Sequence, residues 1–220
     1  MDETPEPAIR QDVLLLGALV LLMALLALSG FRAYDRLTWG LEIFPILLVV
    51  PVLLATRKAY PLTPLLYGLI FVHAVILMVG GHYTYARVPL GFWLEHLLGL
   101  HRNPYDKIGH LAQGFVPALA IREVLLRSAS VRGRKMLVFL TLGTVLGISA
   151  LYELLEWGSA LALGQGADAF LGTQGDPWDT QSDMFCALVG GGLALALLSR
   201  LHDRQMAALP SAGPAGGHGR

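Results

Sequence analysis

Three apolar stretches of this chain carry ionisable residues at their ends. Asp106, Lys107 and His110 open one, Glu153 and Glu156 close another, and Asp179 and Asp183 begin a third. On a helix, Asp106, His110 and Gln113 fall at i, i+4 and i+7 and share a face, as do Glu153 and Glu156 at i and i+3. Asp179 and Asp183 share a face if their helix begins before Asp179. An imidazole among carboxylates can act as a general base or hold a divalent metal, and zinc, manganese and iron accept such mixed ligands. The candidate catalytic residues are therefore His110 as base or ligand, Asp106 assisting it, Lys107 to neutralise an anionic head group or phosphate, and Glu153. The candidate metal ligands are His110, Glu153, Asp179 and Asp183. His82, Tyr105, Gln113, Glu156, Asp176, Trp178, Asp179 and Gln181 complete the candidate binding set.

The elements that must position these residues are membrane helices. The chain has 220 residues, of which 55% are hydrophobic and 15% charged, and its mean hydropathy is +0.58. Soluble domains carry about 25% charged residues, so much of this surface does not face water. The fold class is all-α, a polytopic transmembrane bundle of about six helices. Runs of the length a bilayer demands lie near residues 13–30, 41–56, 63–81, 108–126, 136–157 and 183–201, within one domain spanning 13–201. Pro45 and Pro51 predict a kink in the second run. Leu90 to Gly99 reads as a short interfacial helix.

Residues 1–12 hold four acids and one Arg, unlike the basic start of a secretory signal, so the first run is expected to be retained. Residues 202–220 are expected to form a disordered tail, its end rich in Ala, Gly and Pro. Cys186, the only cysteine, excludes an intrachain disulfide. The zero net charge gives no field that would attract nucleic acid. With both termini inside, the inner segments hold ten Lys and Arg and the outer segments five, which favours cytoplasmic termini. That orientation brings four polar helix ends to the outer face: His82 to Tyr85, Tyr105 to His110, Glu153 to Trp157, and Asp176 to Asp183.

Each residue also has a plainer use. Asp106 and Asp176 could cap helices, Asp176 with Pro177 in the first turn behind it. His73 could be a packing histidine, and Arg122 and Glu123 a local ion pair. The meeting of four polar ends at one depth favours a pocket. Its expected ligand is a lipid or lipid-linked cell-envelope precursor. A proton-coupled carrier, with His73 as a stepping stone, and a structural membrane partner without chemistry are the alternatives. No nucleophile-elbow serine and no phosphate-binding glycine loop is present.

The same residues carry a resemblance. His82-Tyr83-Thr84-Tyr85, Arg102 to Lys107 with His110, Arg122-Glu123, Tyr152 to Trp157, and Gly172 to Met184 resemble the YjdF-type bacterial inner-membrane family, over most of Leu65 to Gly192. This implies a multi-pass protein of the bacterial inner membrane and brings no reaction with it. A more distant similarity is to VanZ-like membrane proteins. It rests on Asp106, Lys107 and His110, then Glu153, Asp183 and Gly190, with Ala187 where that pattern has Asn.

Overall fold

A polar helix wrapped by apolar ones is the organising feature of the computed structural model, which describes residues 6–163 and 174–209. α1 (Glu6–Gly30) is followed by α2 (Arg36–Glu42) and α3 (Phe44–Thr56). Then come α4 (Pro64–Tyr83), a 3₁₀ turn at Tyr85–Arg87, α5 (Pro89–Leu98), α6 (Tyr105–Arg127), α7 (Arg134–Leu163) and α8 (Asp179–Ala207). The all-helical class read from the sequence holds, and no strand occurs among the described residues. Four helices, those containing Asp12–Gly30, Pro64–Tyr83, Arg134–Ala162 and Asp179–Ala207, are long and apolar enough to cross a membrane. The pair α2 and α3, bent by 40°, makes a fifth when its two helices are taken as one span.

α6 fails that test of apolarity because it does not need to pass it. It packs on α4, α7 and α8, so its polar residues face protein. Its contact with α8 is close because both backbones carry glycine there. A Cβ on Gly114 would strike the Ala187 carbonyl, and one on Gly190 the Leu111 carbonyl. Small residues at a helix crossing let backbones approach in this way. Leu66, Leu119, Val145 and Ala194 are buried around this axis. α1 is the opposite case: Leu22 and Leu26 pack with Ala74 and Leu77 of α4, and most of the rest of its apolar run is exposed.

Polar pairs fix which helix ends share a face. Arg57 reaches Asp12 at 3.1 Å, joining the end of α3 to the start of α1. The Leu65 amide donates to Gln205 at 2.8 Å, joining the start of α4 to the end of α8. At the other face, Tyr34 donates its backbone N–H to the His82 carbonyl at 2.9 Å. The Trp39 indole donates to Ser29 Oγ at 3.1 Å.

Local sequence sets the element ends. Asp35 caps α2, its carboxylate accepting from the Thr38 amide at 2.6 Å. That hydrogen bond holds the Asp35 carboxyl below its ordinary value. Thr63 caps α4 with Pro64 behind it, and Gly99 ends α5 in the left-handed conformation. α8 runs to Ala207, and His202 is wholly buried. The segment expected to be a disordered tail therefore begins as packed helix. The Gly- and Pro-rich end after Leu209, like residues Gly172 and Thr173, lies outside the described residues.

Candidate functional site

Six residues from three helices, joined by Arg102 from a loop, converge at the face where α6 and α8 begin. α6 brings Asp106, Lys107 and His110 because one helical turn separates the first from the last. α8 starts at Asp179, so Asp179 and Asp183 do share a face, and both are buried. α7 supplies Glu153, also buried.

The two cations are already engaged. Lys107 Nζ lies 2.7 Å from Asp179 Oδ1 and 2.7 Å from Asp183 Oδ1. Arg102, in the loop before α6, reaches Asp179 at 2.6 Å and Asp176 at 3.1 Å. Lys107 is thus spoken for by α8 carboxylates, which bears on its expected use against a phosphate.

The histidine is oriented by its own helix. His110 Nδ1 lies 2.9 Å from Gln113 Oε1. In the tautomer that donates from Nδ1 to this oxygen, Nε2 keeps its lone pair. Nε2 points at carboxylate oxygens of Asp106 at 3.6 Å, Glu153 at 3.7 Å and Asp183 at 3.9 Å. These separations are too long for hydrogen bonds. Asp106 Oδ2 and Glu153 Oε1 are buried and have no hydrogen-bond partner. Asp106, His110 and Asp183 offer ligand atoms that all lie within 4.8 Å of one another.

Imidazole and carboxylate are the donor types that zinc, manganese and iron accept. Zinc bonds to nitrogen and oxygen run about 2.0–2.2 Å, which puts tetrahedral ligand atoms about 3.4 Å apart. The three carboxylate oxygens stand 3.6, 3.7 and 3.9 Å from His110 Nε2. An Nδ1–H held by a side-chain oxygen is the usual support for a metal-bound imidazole.

A cavity of about 510 Å³ lies beside the cluster, walled by α3, α4, α6 and α7. Asp106, His110 and Gln113 form part of its wall, together with Glu42, Tyr152 and Glu156. The Tyr152 hydroxyl donates to Glu42 Oε2 at 3.1 Å. Glu42 is carried in by α2, whose Trp39 and Glu42 sit against Gly81, where no side chain intervenes. The Tyr85 ring lies against Gly80 and Gly109. The chain turns there through Thr84, whose φ of 59° is the left-handed region.

Not every expected residue arrives. His82 turns away from the cluster, its Nδ1 2.8 Å from the Ser29 carbonyl, because its face of α4 packs on α1. Tyr105 is buried but donates to the Ile76 carbonyl at 3.1 Å, which ties α6 to α4. Trp178 is 68% exposed, and Gln181 is exposed too. Gln181 lies in the first turn of α8, about 200° around the helix from Asp179, and Trp178 stands just before that turn. Asp176 is not the helix cap: α8 is preceded by Trp178, and Asp176 instead accepts from the Trp178 amide at 2.9 Å. Pro177 stands before the helix rather than in its first turn.

Arg122 and Glu123 do not pair with each other. Arg122 bonds Asp203 at 2.6 Å, and Glu123 bonds Arg127 at 2.7 Å and His202 at 2.8 Å. Neighbours on a helix project about 100° apart. His73 is not sealed by packing partners, for its Nε2 lacks a hydrogen bond and the residue lines the cavity. Glu42, Tyr85 and Tyr152 were missing from the expected site. The one signal for Glu42 was a carboxylate at the edge of an otherwise apolar run.

Residues 14–204 match the family described as "Predicted membrane protein (DUF2238)". The chain belongs to this family. It is 59% identical to the inner membrane protein YjdF of Escherichia coli (strain K12), over 94% of this chain and 96% of that one. No solved structure matches this chain. The resemblance to the YjdF-type family read from the motifs is thereby sustained, and the DUF2238 chain is a membrane protein of the bacterial inner-membrane kind.

Proposed function

We propose that this DUF2238 protein holds a divalent cation between His110 Nε2 and the carboxylates of Asp106, Glu153 and Asp183. On this reading the cation serves a lipid or lipid-linked envelope precursor at the outer face of the inner membrane, with both termini in the cytoplasm. The observation that carries it is His110 Nε2 aimed at three carboxylates, two of which have buried oxygens without a hydrogen-bond partner. Like charges at such distances repel strongly where water is excluded, and a shared cation removes the repulsion.

Each residue then has a task. Gln113 fixes the imidazole tautomer. Lys107 and Arg102 hold Asp179, and Lys107 also orients Asp183 toward His110. Asp179, expected among the ligands, is instead the anchor for these two cations. A bound cation would act as a Lewis acid toward a ligand oxygen. Glu156, on the cavity wall, is the nearby carboxyl free to take up a proton.

The inner half argues against a through-going carrier path. Glu123, the one carboxylate there within α6, is wholly buried in ion pairs with Arg127 and His202.

The test is elemental analysis of protein purified in nanodiscs, stripped with chelator and then reloaded with zinc, manganese or iron. About one ion per chain is expected, lost in His110→Ala and in Glu153→Gln while membrane abundance stays at the wild-type level. A wild-type chain that retains none of the three would overturn the proposal. So would a His110→Ala chain that binds as the wild type does.

A further inference from the structure

The cavity beside the cluster has a shape and a lining of its own. It extends from Glu42, Tyr152 and Glu156 at the polar end to His73 and the apolar side chains of Ile70, Val116 and Ile121. Its volume of about 510 Å³ is within the range of small-molecule sites, roughly 300–1,000 Å³. Its mouth faces the membrane. α3 packs on little besides α2, and Leu48 on α3 and Leu151 on α7 line the cavity while remaining more than half exposed. A ligand therefore enters sideways from the bilayer, between α3 and α7.

The polar end presents acceptors and carboxyls: Glu42, Glu156 and Asp106, with Tyr85 and Tyr152 beside them. Among the described residues no Lys or Arg lines the cavity. Lys107, in the adjoining cluster, is bound to Asp179 and Asp183. A phosphate placed here would meet carboxylates with no fixed cation of its own. An amine or a set of hydroxyls would meet hydrogen-bond acceptors. Deeper in, His73 Nε2 is a buried polar atom with no partner, available to one polar atom along the ligand.

We infer that this cavity binds a single-chain amphiphile whose head donates hydrogen bonds through hydroxyls or an amine, with its chain lying along α4 and α6. The inference names the ligand class for the outward-facing site proposed above, and it rests on that reading of the site but not on the cation.

The experiment uses three photoactivatable probes of equal chain length: an alkyl amine, an alkyl glucoside and an alkyl phosphate, each with a diazirine in its chain. Full-length protein in nanodiscs is irradiated with each probe, both chelator-stripped and metal-loaded. Cross-linked residues are mapped by mass spectrometry. The amine and glucoside should label Ile70, Val116 and Ile121 about tenfold more than the phosphate does in the stripped protein, the discrimination worth about 1.4 kcal/mol. Ala120→Trp, which fills the cavity, should abolish that labelling. Should Ala120→Trp fail to fold, Glu42→Gln and Glu156→Gln together should erase the preference for amine over phosphate. Stronger labelling by the phosphate in the stripped protein overturns the inference. Labelling at Ile70 and Ile121 no greater than at lipid-facing Leu197 also overturns it. Loss of metal binding with the labelling pattern intact would instead sink only the cation.

Discussion

The two ends of α6, which the orientation proposed above makes outer at Tyr105 and inner at Arg127, make opposite use of buried charge. At the inner end, Glu123 is wholly buried, and both of its oxygens are met. Oε1 accepts from Arg127 at 2.7 Å, and Oε2 lies 2.8 Å from His202 Nε2 and accepts from the Thr63 hydroxyl at 3.0 Å. Arg127 also rests 3.7 Å above the Tyr60 ring, which takes up the face of a guanidinium whose Nη2 has no hydrogen bond. At the outer end, Asp106 and Glu153 each keep a buried oxygen without a hydrogen-bond partner, and the imidazole between them turns its Nε2 their way. A carboxylate with both oxygens met fixes helices in place. Carboxylates whose oxygens are left over after Lys107 and Arg102 are engaged have room for a positive centre from outside.

The largest effect should come from the inner end. Glu123→Gln leaves Arg127 without its buried counter-charge, and breaking a buried pair from one side costs about 3–5 kcal/mol. Thermal unfolding in detergent should reveal that loss, with little folded protein recovered from membranes. An unfolding temperature equal to the wild type's would erase the contrast between the two ends.

The matching change at the outer end should act in the other direction. In chelator-stripped protein, Glu153→Gln removes one of several crowded acids and should unfold at or above the wild-type temperature. A cation at 100 times its dissociation constant stabilises a folded state by about 2.7 kcal/mol. The wild type should gain that increment on reloading, and Glu153→Gln should gain none. A mutant destabilised as severely as Glu123→Gln would show that the outer cluster is a packing network too.

A smaller effect should link the two ends. Gly114→Ala forces α6 away from the Ala187 carbonyl of α8, and such overpacking costs about 1–3 kcal/mol. The same shift parts His110 from Asp183, so cation affinity should fall along with stability. Retained affinity would mean that the cluster does not depend on that crossing.

The smallest effect lies outside both ends. Asp35→Ala removes the cap on α2 at a cost of about 1 kcal/mol. The Thr38 amide holds the folded carboxyl below its ordinary value. The cap's contribution is therefore full above the unfolded pKa of about 3.9 and is lost as pH falls through the lower folded value. An unfolding series carried into acid should show wild type and mutant converging there. A difference that persists under acid would assign the cap's effect to packing.

Much of the outer cluster could be read from spacing alone. Asp106, His110 and Gln113 share a helix face whatever the tertiary structure, and Asp179 and Asp183 need only a helix start at Asp179. The helical class followed from apolar runs in the same way. What could not be read depends on which face of each helix meets which neighbour. His82 sits at the right depth but looks toward α1, a rotation its own helix does not encode. The bond between Tyr152 and Glu42 joins α7 to α2 across an interval that no local pattern spans. Arg122 and Glu123 invited pairing by adjacency, and adjacency on a helix is what keeps them apart.

The bend between α2 and α3 has a consequence for the lipid around it. α3 has 13 residues, a rise of about 20 Å, while a bilayer's hydrocarbon core is about 30 Å thick. α2 adds seven residues, about 10 Å more, so the bent pair together matches the oil with little strain on the bilayer. Glu42, the last residue of α2, is thereby held about 10 Å beneath one membrane surface, at the depth a head group must reach to enter the side door.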